Sequence, residues 1–183
     1  MTVQTDQDLL AQVRSGDEAA LRQLYQRHAP AVLRLGMRLS SSRTVAEEAL
    51  QDTFLAVWQA AGTFQGRSSV KGWILGITRR KIHDRMRGKH ATLLPVEEAH
   101  GVPDPSPGPE TDVINRAGAA ALQAQIEGLP EHLRTTLALV TVEELPYTEV
   151  AQVLGIPIGT VKSRMSTVRK LLATRLLTDQ ATS

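Results

Sequence analysis

Cysteine is absent from the 183 residues, which excludes disulfides, thiolate metal sites and direct thiol sensing. Aromatic residues make up only 3% of the chain, and the apolar 42% is mostly Leu, Val and Ala, a composition that favours helices over strands. That apolar share is enough for a buried core and excludes wholesale disorder. The five histidines stand at 28, 83, 90, 100 and 132, without the i,i+4 spacing of a helical metal site, so no metal or other cofactor is expected. No apolar run reaches the roughly 18 residues that span a bilayer. MTVQTDQD is polar where a signal peptide would be apolar. The expectation is a cytoplasmic protein without membrane insertion.

One absence is local. From Ile156 to Thr178 the chain carries Lys162, Arg164, Arg169, Lys170 and Arg175 but no Asp or Glu. Helices ordinarily mix their charges, because opposite signs at i,i+4 support them, so the negative charge must come from elsewhere. Net charge is only +2, yet it is unevenly spread. Residues 1–90 hold 14 basic and 8 acidic residues, residues 91–127 one and six, and residues 128–183 six and five. A basic front, an acidic middle and a basic final helix suggest nucleic-acid-facing modules around a spacer.

Periodicity points to an all-α chain of two small helical domains: 1–88, a flexible acidic linker at 89–111, and 112–183. DLLAQVR is a short amphipathic helix, and Asp17 can cap the next, DEAALRQLYQRHAPAVLRLGMRL. Pro30 inside that helix predicts a kink or break near Ala29. Thr44 and Glu47 read as a capping box for TVAEEALQDTFLAVWQAAG. Leu50, Phe54, Val57 and Trp58 share one face of it; Glu48, Gln51, Asp52 and Gln59 share the other. Ser68 or Ser69 caps VKGWILGITRRKIHDRMRG, with Val70, Trp73, Ile74 and Ile77 inward. LLPVEEAHGVPDPSPGPETD holds five of the nine prolines and reads as an extended linker. Helices resume at Asp112, and Leu145-Pro146 is a break. Two separate cores, free to move relative to each other, are expected.

YTEVAQVLGIPIGTVKSRM fits a helix-turn-helix. Val150, Ala151 and Leu154 would face the core, Gly155 would supply the left-handed turn, Thr160 would cap the second helix, and Val161 would pack back. Lys162, Ser163, Ser166 and Thr167 then face out near the start of that helix, the part that enters the major groove in this motif. Phosphate supplies the missing negative charge.

A second constellation, AEEALQDTFLAVW then FQGRSSVKGWILGITRRKIHDRMR, joins an acidic helix face, a Gly-Ser loop and a helix ending in cations. The loop offers N–H groups and hydroxyls suited to holding an unstacked base. With both constellations in this order, followed by LPEHLRTTLAL…YTEVAQVLGIPIGTVKSRM, residues 7–87 and 119–176 resemble a group IV (extracytoplasmic-function, ECF) bacterial RNA polymerase sigma factor of the sigma-70 family.

The resemblance implies a protein that binds core RNA polymerase and directs promoter recognition, strand opening and transcription initiation. Its first domain would be sigma domain 2, docking on the β′ clamp helices through Glu48, Leu50, Gln51, Asp52 and Phe54. The loop Phe64, Gln65, Gly66, Arg67, Ser68 and Ser69 would hold a flipped base of the minus-ten element. Lys71, Trp73, Arg79, Arg80 and Arg85 would melt and track that strand. The second domain, sigma domain 4, would read the minus-thirty-five element through Thr160, Lys162, Ser163, Arg164, Ser166, Thr167, Arg169 and Lys170. Its other implied partners are the β flap and an anti-sigma factor, and the linker would thread toward the RNA exit channel.

The chain departs from the family pattern at five positions, one of them Val168, which stands where an Ala is usual. Arg80 stands where an Asn is common, and Leu75 where an aromatic is frequent, which implies less base stacking, about 1–3 kcal/mol per base. Thr167 replaces an Arg able to discriminate a guanine by about 1–3 kcal/mol. Val140 stands where some members carry Arg. The expected minus-thirty-five preference is weaker than, or different from, a GGAAC-like element. Rival readings are a stand-alone helix-turn-helix transcriptional regulator and a protein that binds acidic partners through its basic helices. An enzyme is disfavoured: His83-Asp84 has no accompanying cluster, and Asp84 is expected to pair with a neighbouring Arg or to cap packing.

Overall fold

The computed structural model describes residues 4–90 and 122–180, and among them there is helix and connection but no strand. The elements are α1 (Asp6–Arg14), α2 (Glu18–Ser40), α3 (Arg43–Ala60), a single 3-10 turn (Ala61–Thr63), α4 (Val70–His90), α5 (122–127), α6 (Glu131–Thr141), α7 (Tyr147–Leu154) and α8 (Ile158–Gln180). The all-α reading holds. The acidic linker lies outside the described residues from 91 onward, as does the start of the helix expected from Asp112, while α4 continues to His90.

Local side chains start these helices. Thr5 and Asp8 form a reciprocal capping box on α1, Asp8 N–H donating to Thr5 Oγ1 at 3.2 Å and Thr5 N–H to Asp8 Oδ2 at 3.0 Å. Asp17 caps α2 as expected, accepting from the N–H groups of Ala19 and Ala20 at 2.8 and 3.1 Å. Two expectations need correction. The box at Thr44 and Glu47 does not form: Ser42 caps α3, its Oγ accepting from Val45 N–H at 3.4 Å, and Glu47 pairs with Arg43 at 2.8 Å. Ser42 gains the position because Ser41 closes α2 in the left-handed region (φ 51°) and turns the chain one step earlier. Pro30 also does not break α2, which is one helix from Glu18 to Ser40. Buried Leu24, His28, Ala31, Val32 and Leu35 clamp both sides of the proline, so packing outweighs a lost backbone donor.

The core is the larger correction. Leu24, Val32, Val57, Ile74 and Leu75 are fully buried where α1–α4 meet, and Leu139, Leu145, Val150, Val153, Leu154 and Val161 belong to the same cluster. The expected pair of separate cores is therefore one continuous cluster. α7 packs on α4 as well as on α8, because an eight-residue helix with Val150, Val153 and Leu154 all buried carries more apolar surface than α8 alone covers. A small second cluster of Leu129, Leu133 and Val168 joins α6 to α8.

Candidate nucleic-acid interface

α7, its turn and α8 form the expected helix-turn-helix. Gly155 sits at φ +63°, and Ile156 N–H donates to Ala151 O at 3.1 Å, closing α7 with a left-handed cap. Thr160 is not the cap of α8. It lies in the first turn, its N–H donating to Pro157 O at 2.9 Å, because Pro157 has the fixed φ and the free carbonyl that start a helix. Val161, Met165 and Val168 form the buried stripe of α8. Ala151, expected in the core, is only half-buried, and Val153 takes that place.

The opposite face of α8 is open. Lys162, Ser163, Thr167, Arg169 and Lys170 are exposed and Ser166 is half-buried. Ser163 Oγ donates to Thr160 O at 3.0 Å and Thr167 Oγ1 to Ser163 O at 3.1 Å, so both hydroxyls present their oxygens outward as acceptors. Arg164 is held inward, its Nη1 donating to Thr136 Oγ1 of α6 at 3.4 Å.

The second surface lies around the N-terminus of α4. Ser69 caps that helix, accepting from Gly72 N–H on its Oγ at 3.0 Å. Phe64 and Trp73 meet as a tilted pair, centroids 5.4 Å apart, while Gln65, Gly66 and Arg67 are exposed. A cavity of about 290 Å³ between α3 and α4 has Trp73, Ile77 and Thr63 as walls and Arg80 and Lys81 at its edge. Arg80 is exposed. Leu75 is fully buried, so its departure from an aromatic is a matter of core packing and not of lost stacking on a base.

The acidic face of α3 is organised by Arg85. Its Nε and Nη2 donate to Asp52 Oδ2 at 2.9 and 2.6 Å, and its Nη1 to Glu48 Oε2 at 2.6 Å. The family resemblance implies a strand-tracking role for Arg85, yet its guanidinium lies on Glu48 and Asp52, two of the residues expected to dock on polymerase. Within that set Gln51 is exposed, Leu50 is half-buried, and Phe54 is buried against Tyr25 with centroids 4.8 Å apart. Leu55, which the pattern of α3 did not single out, is 57% exposed beside Gln51 on the next turn. The i,i+4 offset from Gln51 was the available signal.

Acids of the second half occupy part of this basic surface. Glu143 is 5% exposed, and its carboxylate accepts from Arg34 Nε at 2.7 Å and Nη2 at 3.0 Å and pairs with Lys71 Nζ at 2.9 Å. Burial alone would raise the Glu143 pKa, but the hydrogen bonds from Arg34 and Lys71 hold it below the ordinary value of 4.5. Glu149 accepts from Ser69 N–H at 2.8 Å and from Ser69 Oγ–H at 2.5 Å. The Arg79 guanidinium lies against Gly155. Ser69, Lys71 and Arg79 thus face protein, which no reading of the linear chain could reveal.

Asp84 meets the exposed His83 at 3.8 Å rather than an arginine. Among the described residues no group of three or more His, Asp or Glu side chains is placed to hold a metal, and no helix is long and apolar enough to cross a membrane.

Comparison with known proteins follows the same division. The family model described as Sigma-70 region 2 matches residues 24–92, and Sigma-70, region 4 matches residues 119–172. The chain is 34% identical over 163 residues to the ECF RNA polymerase sigma factor SigE of Mycolicibacterium smegmatis, covering 86% of this chain and 63% of that longer protein. It is 33% identical over 174 residues to the ECF RNA polymerase sigma factor SigM of Mycobacterium tuberculosis, covering 94% of this chain and 85% of that one. The solved structure of CnrH in complex with the cytosolic domain of CnrY superposes with a TM-score of 0.62 at 25% identity, covering 95% of this chain and 98% of that one.

Proposed function

The chain belongs to the sigma-70 family of RNA polymerase sigma factors, in its ECF branch, and from that premise we propose how its surfaces divide the work of starting transcription. It is a promoter-recognition factor that acts through RNA polymerase, not a stand-alone regulator. It is an initiation factor, and the polymerase carries the chemistry. The site of action is the cytoplasm, where the polymerase works.

The exposed outer face of α8 enters the major groove of the minus-thirty-five element. Lys162, Arg169 and Lys170 meet phosphates, and the outward oxygens of Ser163 and Thr167 meet base edges. The loop from Phe64 to Ser69 and the cavity beneath Trp73 receive an unstacked base of the minus-ten strand, with Arg80 on its phosphate. The face of α3 bearing Glu48, Gln51, Asp52 and Leu55 docks on the β′ clamp helices. One observation carries the assignment: the chain has a second built surface, around α3 and α4, that a lone helix-turn-helix would have no use for. Residues 1–88 and 112–183 correspond to sigma domains 2 and 4 in this reading. An anti-sigma factor is a further protein partner in this reading; the similar CnrH was solved in complex with a protein, the cytosolic domain of CnrY.

The test is transcription by purified core polymerase on fragmented genomic DNA, with and without the protein. New starts that vanish with Gln51→Ala/Asp52→Ala support the reading. DNA binding without new starts would return it to a plain regulator.

A further inference from the structure

The two halves meet through acids, on the very groups that the first half would offer to DNA. Glu149 takes the Ser69 N–H and hydroxyl at the head of α4. Glu143 takes the Lys71 ammonium, which also donates to its backbone carbonyl at 2.8 Å. These donors, a backbone N–H, a hydroxyl and an ammonium, are the kinds that hold a phosphate. Gln152 and Val153 of α7 wall a cavity of about 180 Å³ whose other side is Ser68, Trp73 and Arg79. The fit is close: a Cβ on Gly72 would overlap the Glu149 carboxylate, so a side chain there displaces that carboxylate from its present place. The outer face of α8, by contrast, stays exposed.

We propose that this arrangement is a self-inhibited resting state, in which Glu149 and Glu143 of the helix-turn-helix half occupy the phosphate-binding groups at the head of α4, so that single-stranded promoter DNA must displace them. The proposal rests on the sigma-factor reading above. Duplex binding by α8 is compatible with the closed state; a strand phosphate held by Ser69 and Lys71 is not. The order follows from geometry. The free factor can touch duplex DNA and leaves Gln65, Gly66, Arg67 and Arg80 open, but it offers Ser69 and Lys71 to a strand only once Glu149 and Glu143 leave them.

The test compares the full-length wild-type chain with Glu149→Ala, which removes the acid, and Gly72→Ala, which expels the same acid without changing any charge. Circular dichroism checks that each variant is folded. The probe is a short, labelled single strand of mixed sequence, read by fluorescence anisotropy, beside a mixed-sequence duplex. Both variants should bind the single strand about 3- to 10-fold more tightly than wild type, the gain expected when a mostly closed population is released. Duplex affinity should move by less than about twofold, which separates opening from a general gain in positive charge. Hydrogen exchange supplies the second readout: the Ser69 amide should be protected in wild type and lose protection in both variants. Unchanged single-strand affinity in both variants, equal gains on duplex and single strand, or an unprotected Ser69 amide in wild type would each overturn the proposal. Transcription with core polymerase separates its failure from that of the function. New starts with wild type, combined with any of those results, discard the latch and keep the sigma factor. No new starts with any of the three proteins remove both.

Discussion

Gly155 is fixed by two demands at once, a left-handed backbone at φ +63° and a guanidinium at its back. A Cβ there would stand 2.8 Å from Arg79 Nη1. Gly155→Ala should therefore cost about 1–3 kcal/mol, seen as a lower urea midpoint with an unchanged m-value. Two buried titratable groups set the acid response. Burial pushes the His28 pKa below its usual 6.5, and the bond to Asp6 at 2.6 Å offsets this only in part. The unfolded chain binds that proton first, so stability is complete above pH 6.5 and falls as pH drops through the lowered value. Glu143, held below 4.5, acts in a lower window: its contribution is present above 4.5 and is lost as pH falls through the depressed value. Urea midpoints measured against pH should show both steps. Glu143→Gln should erase the lower one while costing about 1–3 kcal/mol at neutral pH, since Arg34 and Lys71 lose their charged partner.

At the scale of elements, α2 tolerates a proline that its own backbone would reject. Pro30 is exposed, so replacing it opens no cavity. Pro30→Ala should raise stability by about 1–2 kcal/mol, the helix gain reduced by the freer unfolded chain. Thermal denaturation reads this directly, and no change would mean that the local backbone has already absorbed the missing donor. α3 and α4 are tied by Arg85. Its two-carboxylate grip is partly exposed, so Arg85→Ala should cost only about 1 kcal/mol of stability. The larger effect should be weaker binding to core polymerase, because Glu48 and Asp52 lose the group that orients them. Competition against a second sigma factor would measure it. Single-strand affinity should hold if Arg85 serves the α3 face, and should fall if it touches the minus-ten strand.

For the molecule as a whole, the shared core decides how it unfolds. Leu154 of α7 is 8% exposed within the cluster that also holds Ile74 and Leu75 of α4. Leu154→Ala should lower a single calorimetric transition of the entire chain, by about 2–5 kcal/mol. Two transitions, with only one displaced, would mean that the halves fold apart after all. The same continuity explains how a charged contact between the halves acquires a fixed geometry: buried Val150, Val153 and Leu154 position α7, and α7 carries Glu149 to Ser69.

Much of this protein was legible in its sequence, for a physical reason. Helix periodicity, the Asp17 cap, the Gly155 turn and the acid-free run along α8 are local matters, settled within a few residues by backbone geometry and nearby charge. The order of the constellations was local information too, and it led to the family. The sequence could not say that Ser42 rather than Thr44 begins α3, because that depends on how Ser41 turns. Nor could it say that Pro30 would be overruled, that Leu75 faces the core, or that Phe54 is covered while Leu55 is open. Each of those follows from which surfaces meet. Least legible were the contacts of Glu149 with Ser69 and of Glu143 with Arg34 and Lys71, separated by 72 to 109 residues along the chain. Burial energy is non-directional and pattern-blind at that range; only the packing of α7 on α4 decided which charges would face one another.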